Sequence, residues 1–103
     1  MAKKRKHYMK NKGGTYKNGQ LISEQKGKTL TYYFQTGEIK AKGKSIDGVM
    51  EGKWIFNRES GQLWQTGNFK NNKKHGELIR YDKKGKKEYH VKFSNGKQVE
   101  KLV

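Results

Sequence analysis

The chain contains no cysteine and no proline, and only nine acidic residues. Without cysteine there can be no disulfide, no thiolate metal site and no cysteine nucleophile. Without proline, glycine, present 13 times, is left to punctuate the chain. No run of ~18 apolar residues exists, which excludes a membrane-spanning helix. The opening Met1-Ala2-Lys3-Lys4-Arg5-Lys6-His7-Tyr8 is basic with no apolar segment behind it. That pattern argues against a secretory signal, and cytoplasmic residence is the expectation. Apolar residues are also scarce, at 30% of 103, with a mean hydropathy of −1.25. A single domain of this length must therefore build its core largely from two tryptophans, six tyrosines and four phenylalanines. Each of these can bury ~150–250 Å².

Positive charge is in large excess. Twenty-five Lys/Arg against nine Asp/Glu give +16. Residues 1–13 form a basic arm carrying Lys3, Lys4, Arg5, Lys6, Lys10 and Lys12 and no acid. The arm lacks any structure-forming pattern and is expected to be disordered when free. Residues 14–103 form the folded domain. A basic arm on a chain of pI near 10.1 is an electrostatic footprint of nucleic-acid or anionic-surface binding. A lysine-rich surface that keeps an aromatic-rich β protein soluble explains the same charge.

The chain repeats itself with a period of 24 residues. Gly37, Gly61 and Gly85 are one step apart, as are Leu30, Trp54 and Leu78. Gly43 and Gly67, Gly52 and Gly76, and Ser45, Phe69 and Phe93 follow the same step. Gly48, Asn72 and Gly96 mark turns, since glycine and asparagine tolerate positive φ. An earlier half-unit, Tyr16-Lys17-Asn18-Gly19-Gln20, reads like Phe69–Lys73 and Phe93–Lys97. Apolar residues alternate on either side of each x-Gly turn, as Leu30, Tyr32 and Phe34 and then Ile39 and Ala41. Alternation of this kind predicts strands in antiparallel hairpins. The expected fold is all-β: about three hairpin repeats in an elongated meander sheet or short β-solenoid.

The phrases Gly52-Lys53-Trp54-Ile55-Phe56, Ser60-Gly61-Gln62-Leu63 and Gly67-Asn68-Phe69-Lys70-Asn71-Asn72-Lys73-Lys74-His75-Gly76 resemble the bacterial variant of the MORN repeat. The resemblance covers about residues 14–98. It implies hairpins laid side by side, with aromatics and glycines interlocking along one face. It also implies a scaffold or partner-binding surface. Such repeats have been linked to anionic phospholipids and occur in bacterial proteins labelled antitoxin-like. The third unit departs from the pattern at Leu78, Lys87 and Val91, as expected of a terminal unit whose outer side meets water.

Residues for chemistry are sparse. His7 sits in the arm, His75 at a repeat turn, and His90 on a strand between Tyr89 and Val91, where a solvated side chain is expected. The nine acids are scattered, with no spacing that suggests a metal site or an acid/base dyad. No catalytic residue, metal or cofactor is expected, and the reading is non-enzymatic. What remains is surface. If Ile39, Ala41, Leu63, Gln65, Phe69, Tyr89, Val91 and Phe93 point inward, the opposite parity presents Lys40, Lys42 and Lys44, then Trp64, then His90 and Lys92. Tyr33, Ile55, Ile79 and Tyr81 share that outer parity, so this face requires a cover: a second copy, a partner protein or the chain's own ends. Trp64 among lysines could stack on a nucleic-acid base or sit at a lipid headgroup. Two functions are therefore expected to compete. One is a protein-interaction module, antitoxin-like in the manner of the resemblance, with homodimerisation as one form. The other is a binder of nucleic acid or anionic membrane surface. Gly67 is expected in the inward column, where neighbouring rings need its space.

Overall fold

The computed structural model describes residues 10–103. It consists of strands β1 (Lys10–Lys12), β2 (Ser23–Lys26), β3 (Thr29–Tyr33), β4 (Ile39–Ile46), β5 (Val49–Asn57), β6 (Leu63–Lys70), β7 (Lys73–Lys74), β8 (Gly76–Tyr81), β9 (Lys87–Ser94) and β10 (Lys97–Lys101). No helix occurs among the described residues. All pairings are antiparallel, in the order β1-β2-β3-β4-β5-β6-β8-β9-β10, with β7 paired to the far end of β6. The meander is open and elongated, 49 × 31 × 16 Å. The all-β hairpin architecture read from the sequence is what the chain adopts.

Two kinds of turn alternate along the meander. Asp47-Gly48, Asn71-Asn72 and Asn95-Gly96 have positive φ at both central residues, which gives tight two-residue hairpins matched to strand twist. The other kind is wider. The N–H groups of Gly37, Gly61 and Gly85 donate to the carbonyls of Phe34, Arg58 and Asp82 at 2.8–2.9 Å. The N–H groups of those three residues donate in turn to Glu38, Gln62 and Lys86, each at 2.8 Å. Tyr16–Gln20 closes with the same pair of bonds. This half-unit is therefore a counterpart of Phe34–Glu38 and not, as its wording suggests, of the tight turns at Phe69 and Phe93.

The core is a row of cross-strand neighbours. Leu30, Gly43, Trp54 and Gly67 lie opposite one another across β3, β4, β5 and β6. Trp54 is 1% exposed, and its indole is walled by Tyr32, Phe56 and Phe69 with ring centroids 6.3–6.5 Å away. Its Nε1–H donates to the Lys44 carbonyl at 3.0 Å, so the one polar atom of the ring is satisfied. Burying ~150–250 Å² of ring at ~25 cal/mol per Å² is worth roughly 4 kcal/mol or more of gross transfer free energy. The space comes from Gly43, where an added Cβ would overlap the indole itself. Gly67 is buried in the same row, but a Cβ there meets Phe69 and Phe56 at an ordinary 3.5 and 3.9 Å. The expected crowding thus falls mainly on Gly43.

In the last unit the row is refilled. Leu78 replaces the tryptophan and Val91 stands opposite it where the earlier units have glycine. The smaller ring-less residue leaves room for a side chain on its partner. Val91 is 0% exposed, so that departure lies in the core, while Lys87 and all of β10 at the sheet's end are exposed. On the strand after each wide turn the register skips one residue: Lys40, Trp64 and Glu88 are left unopposed, 24 residues apart. Each skip is a β-bulge, which bends the strand and re-aims side chains. Leu63, expected inward, lies beyond the second bulge and is 38% exposed.

Gly43→Ala should destabilise the chain by about 1–3 kcal/mol or more, because the indole cannot shift without losing its hydrogen bond and ring contacts. Gly67→Ala should cost under about 1 kcal/mol. Urea titrations followed by Trp fluorescence would check the contrast; equal losses would refute it.

Candidate binding face

Side chains alternate across a strand, so the face opposite Trp54 is composed of the remaining parity. Register lines up Glu24, Thr31, Lys42, Ile55, Thr66, Ile79 and His90 in one row across seven strands. The middle of the row, Ile55, Thr66 and Ile79, is half-buried. Lys42, Lys44, Lys53 and Lys92, on the same face, are exposed. Among the described residues the ion pairs within 4.0 Å are Lys26–Glu24 and His90–Glu77. Lys40, Lys42, Lys44, Lys53 and Lys92 therefore have no carboxylate at that distance among the described residues.

The ends of the row are closed off. Tyr33 Oη donates to Glu24 Oε1 at 3.3 Å. Burial, then the charge and hydrogen bond of Glu24, holds the Tyr33 phenol above its ordinary range. At the other end His90 has a side chain only 13% exposed, with Nε2 3.1 Å from Glu77 Oε1. Its backbone N–H donates to the Val103 carbonyl, and its carbonyl accepts from Leu102 and Val103. The solvated strand histidine expected from sequence is instead covered and partnered. His75 serves a turn: its Nδ1 accepts the Asn95 N–H at 3.1 Å, the place where Glu51 accepts from Asn71 one repeat earlier.

Trp64 is not on this face. The bulge turns its ring onto the Arg80 guanidinium, 4.9 Å from the ring centroid, and Arg80 also lies over Tyr89 at 5.2 Å. Arg80 and Tyr89 are cross-strand neighbours of Gln65 and Phe56 on the aromatic face, and Arg80 Nε and Nη2 donate to Gln65 Oε1 at 3.1 and 3.0 Å. The outward position expected for Trp64, beside the lysine column, is thus corrected. Its bulge counterpart Lys40 reaches the Phe34 ring at 5.8 Å. Tyr81 is half-buried and its carbonyl accepts from Arg58 Nη2 at 3.0 Å. Lys10 and Lys12, counted with the arm, lie in edge strand β1 opposite Lys26 and Glu24. Lys3, Lys4, Arg5 and Lys6 lie outside the described residues.

Arg80 escaped the sequence reading. The available signal was the period itself, which aligns Arg80 with Tyr32 and Phe56 in the inward column. Among the described residues no group of three His, Cys, Asp or Glu could hold a metal ion, and no helix is long and apolar enough to cross a membrane. No protein-family model matches the chain, and no significant match exists among curated proteins or solved structures.

Two outcomes follow from this geometry. The Asp82 carboxylate accepts the N–H groups of Lys86 and Lys84 at 2.9 and 2.8 Å, in a turn where Lys84 replaces the Ser60 and Thr36 that serve the earlier turns. The Lys86 bond above all, then Lys84 and the nearby charges of Lys86 and Arg58, holds the carboxyl below the ordinary aspartate value of about 3.9. Because the folded value is the lower one, its stabilisation is present above about pH 4 and fades as pH falls through the folded value. A carbon-detected NMR titration should give a midpoint below that of a model peptide, and Asp82→Asn should flatten the acid limb of stability. Separately, Trp64→Ala should destabilise the chain by about 1–3 kcal/mol through loss of the Arg80 stack and its packing. A Trp64→Ala variant as stable as the parent would show the ring to be idle in the fold.

Proposed function

We propose that this chain is a non-enzymatic protein-interaction module that holds its partner on the lysine-bordered face of the sheet. The observation that carries this reading is the row Ile55–Thr66–Ile79, two isoleucines on either side of a threonine in the middle of an open sheet, with Lys42 at its end. Among the described residues, neither chain end crosses it: β1 lies beyond Glu24, and Leu102 and Val103 reach only His90. A strip of aliphatics edged by charge has the composition of an interface, with an apolar centre and a polar rim. The resemblance to MORN-type scaffolds supports the same class. The competing polyanion reading drew on the +16 charge, the basic arm and Trp64 as a stacking platform; of these, the ring is engaged with Arg80.

Photo-crosslinking in the native host tests the reading. Benzoylphenylalanine at Thr66 should give discrete protein adducts that the same group at turn residue Lys83 does not, and Ile79→Asp should abolish them. Equal adducts from both positions, nucleic-acid adducts alone, or none at Thr66 would overturn it.

A further inference from the structure

Resting on that reading, we infer that the partner is an acidic protein surface, whose carboxylates meet Lys42, Lys44, Lys53 and Lys92 while its aliphatic side chains cover Ile55 and Ile79. Charge excludes the alternatives nearest to hand. A second copy would bring another +16 against this face, and residues 1–9, with four Lys/Arg and no acid, would bring like charge as well. Like-charge juxtaposition across an interface costs several kcal/mol.

Register places Glu51 opposite Lys44, and Glu77 and Glu100 opposite Lys92, yet none of these closes an ion pair within 4.0 Å. Glu24 is taken by Lys26 and Tyr33, Glu77 by His90, and Glu51 by the Asn71 N–H. Lys42 and Lys53 have no acid opposite them, and Lys44 and Lys92 have none within 4.0 Å, so all four are open to carboxylates from outside. Alternate residues of one strand stand about 6.8 Å apart, so Lys42 and Lys44 present two charges side by side along β4. The strip of isoleucines runs away from them at right angles, across β5, β6 and β8.

Phosphate polymers fit this face less well. A nucleic-acid backbone offers charge but nothing aliphatic to cover Ile55 and Ile79, and Arg58 and Arg80, the arginines among the described residues, are engaged within the fold. An anionic bilayer offers both, yet insertion needs apolar groups that stand clear of the surface, whereas both isoleucines are half-buried. A folded acidic protein supplies carboxylates and aliphatics in one surface.

The test uses a short fluorescein-labelled amphipathic peptide carrying glutamates and leucines on one face, measured by anisotropy against the full chain at physiological salt. Comparison probes are the same peptide with leucine replaced by serine, a single-stranded oligonucleotide of equal charge, and vesicles containing phosphatidylserine. The Glu/Leu peptide should bind at least about tenfold tighter than each comparison probe. Lys42→Glu with Lys44→Glu should weaken it by about tenfold or more, and Ile79→Ser by a similar factor. Lys83→Glu with Lys84→Glu, at the turn end, should change it less than about twofold. Circular dichroism of each variant establishes that the sheet is intact. The inference is overturned if the Glu/Leu peptide fails to bind, if the Glu/Ser peptide, oligonucleotide or vesicles bind as well, or if the turn-end reversal weakens binding equally. Any of these, with protein adducts still formed at Thr66, removes the acidic partner and leaves the interaction module standing; loss of the Thr66 adducts removes the module itself.

Discussion

The structure depends on one steric fit: an indole placed where its cross-strand neighbours have no side chains. Trp54 lies between Gly43 and Gly67, and the absent Cβ of Gly43 is the space the ring occupies. A sheet with little apolar material can bury a tryptophan almost completely only by this device. It fixes register, because a slip of one residue would put Lys42 or Lys44 under the ring and move every side chain to the other face. It also fixes composition at the neighbouring repeat positions. Where Leu78 stands in for the tryptophan, Val91 fills what would otherwise be a void, and becomes the least exposed residue in the core.

From that fit the two faces acquire different characters. Rings and glycines crowd one side, with Arg80 held between Trp64 and Tyr89 as its charged member. On the other side the alternation leaves short and aliphatic residues in a row, bordered by lysines. Both faces of a single sheet thus carry apolar groups: one encloses Trp54, Leu78 and Val91 while leaving Tyr32 39% exposed, and the other holds Ile55 and Ile79 half-buried. The chain's charge, +16 overall, gives the open face a sign as well as a shape. On the proposed reading, shape and sign together favour partners that offer aliphatic and acidic groups at once.

The repeat also shows how turn chemistry can be redistributed without changing the fold. Thr36 and Ser60 each accept an N–H two residues on, while the last unit has Lys84 at that position and transfers the task to Asp82. At the opposite end of the sheet Glu51 and His75 exchange roles in the same way, each accepting an asparagine N–H from the next tight turn. The 24-residue step is therefore a constraint on geometry and hydrogen-bond supply, which several side chains can satisfy.

The sequence alone determined the all-β class, the step of 24, the turn sites and the column Leu30, Trp54 and Leu78. These follow from local rules: alternation sets the face, and glycine or asparagine permits the positive φ that reverses the chain. It also placed Lys42, Lys44, Ile55, Ile79 and Lys92 on a common face, since parity survives wherever a strand runs without interruption. The tertiary structure decided the rest. Lys40, Trp64 and Glu88 are bulged because two strands disagree in residue count between a wide turn and the core, and neither strand alone records that mismatch. Parity therefore put Trp64 on the lysine face, whereas pairing turned it to Arg80. Likewise His90 and Val91 are buried by residues distant in sequence, Leu102 and Val103 along the backbone and Leu78 across the sheet, and burial from such neighbours exists only once the strands have been brought together.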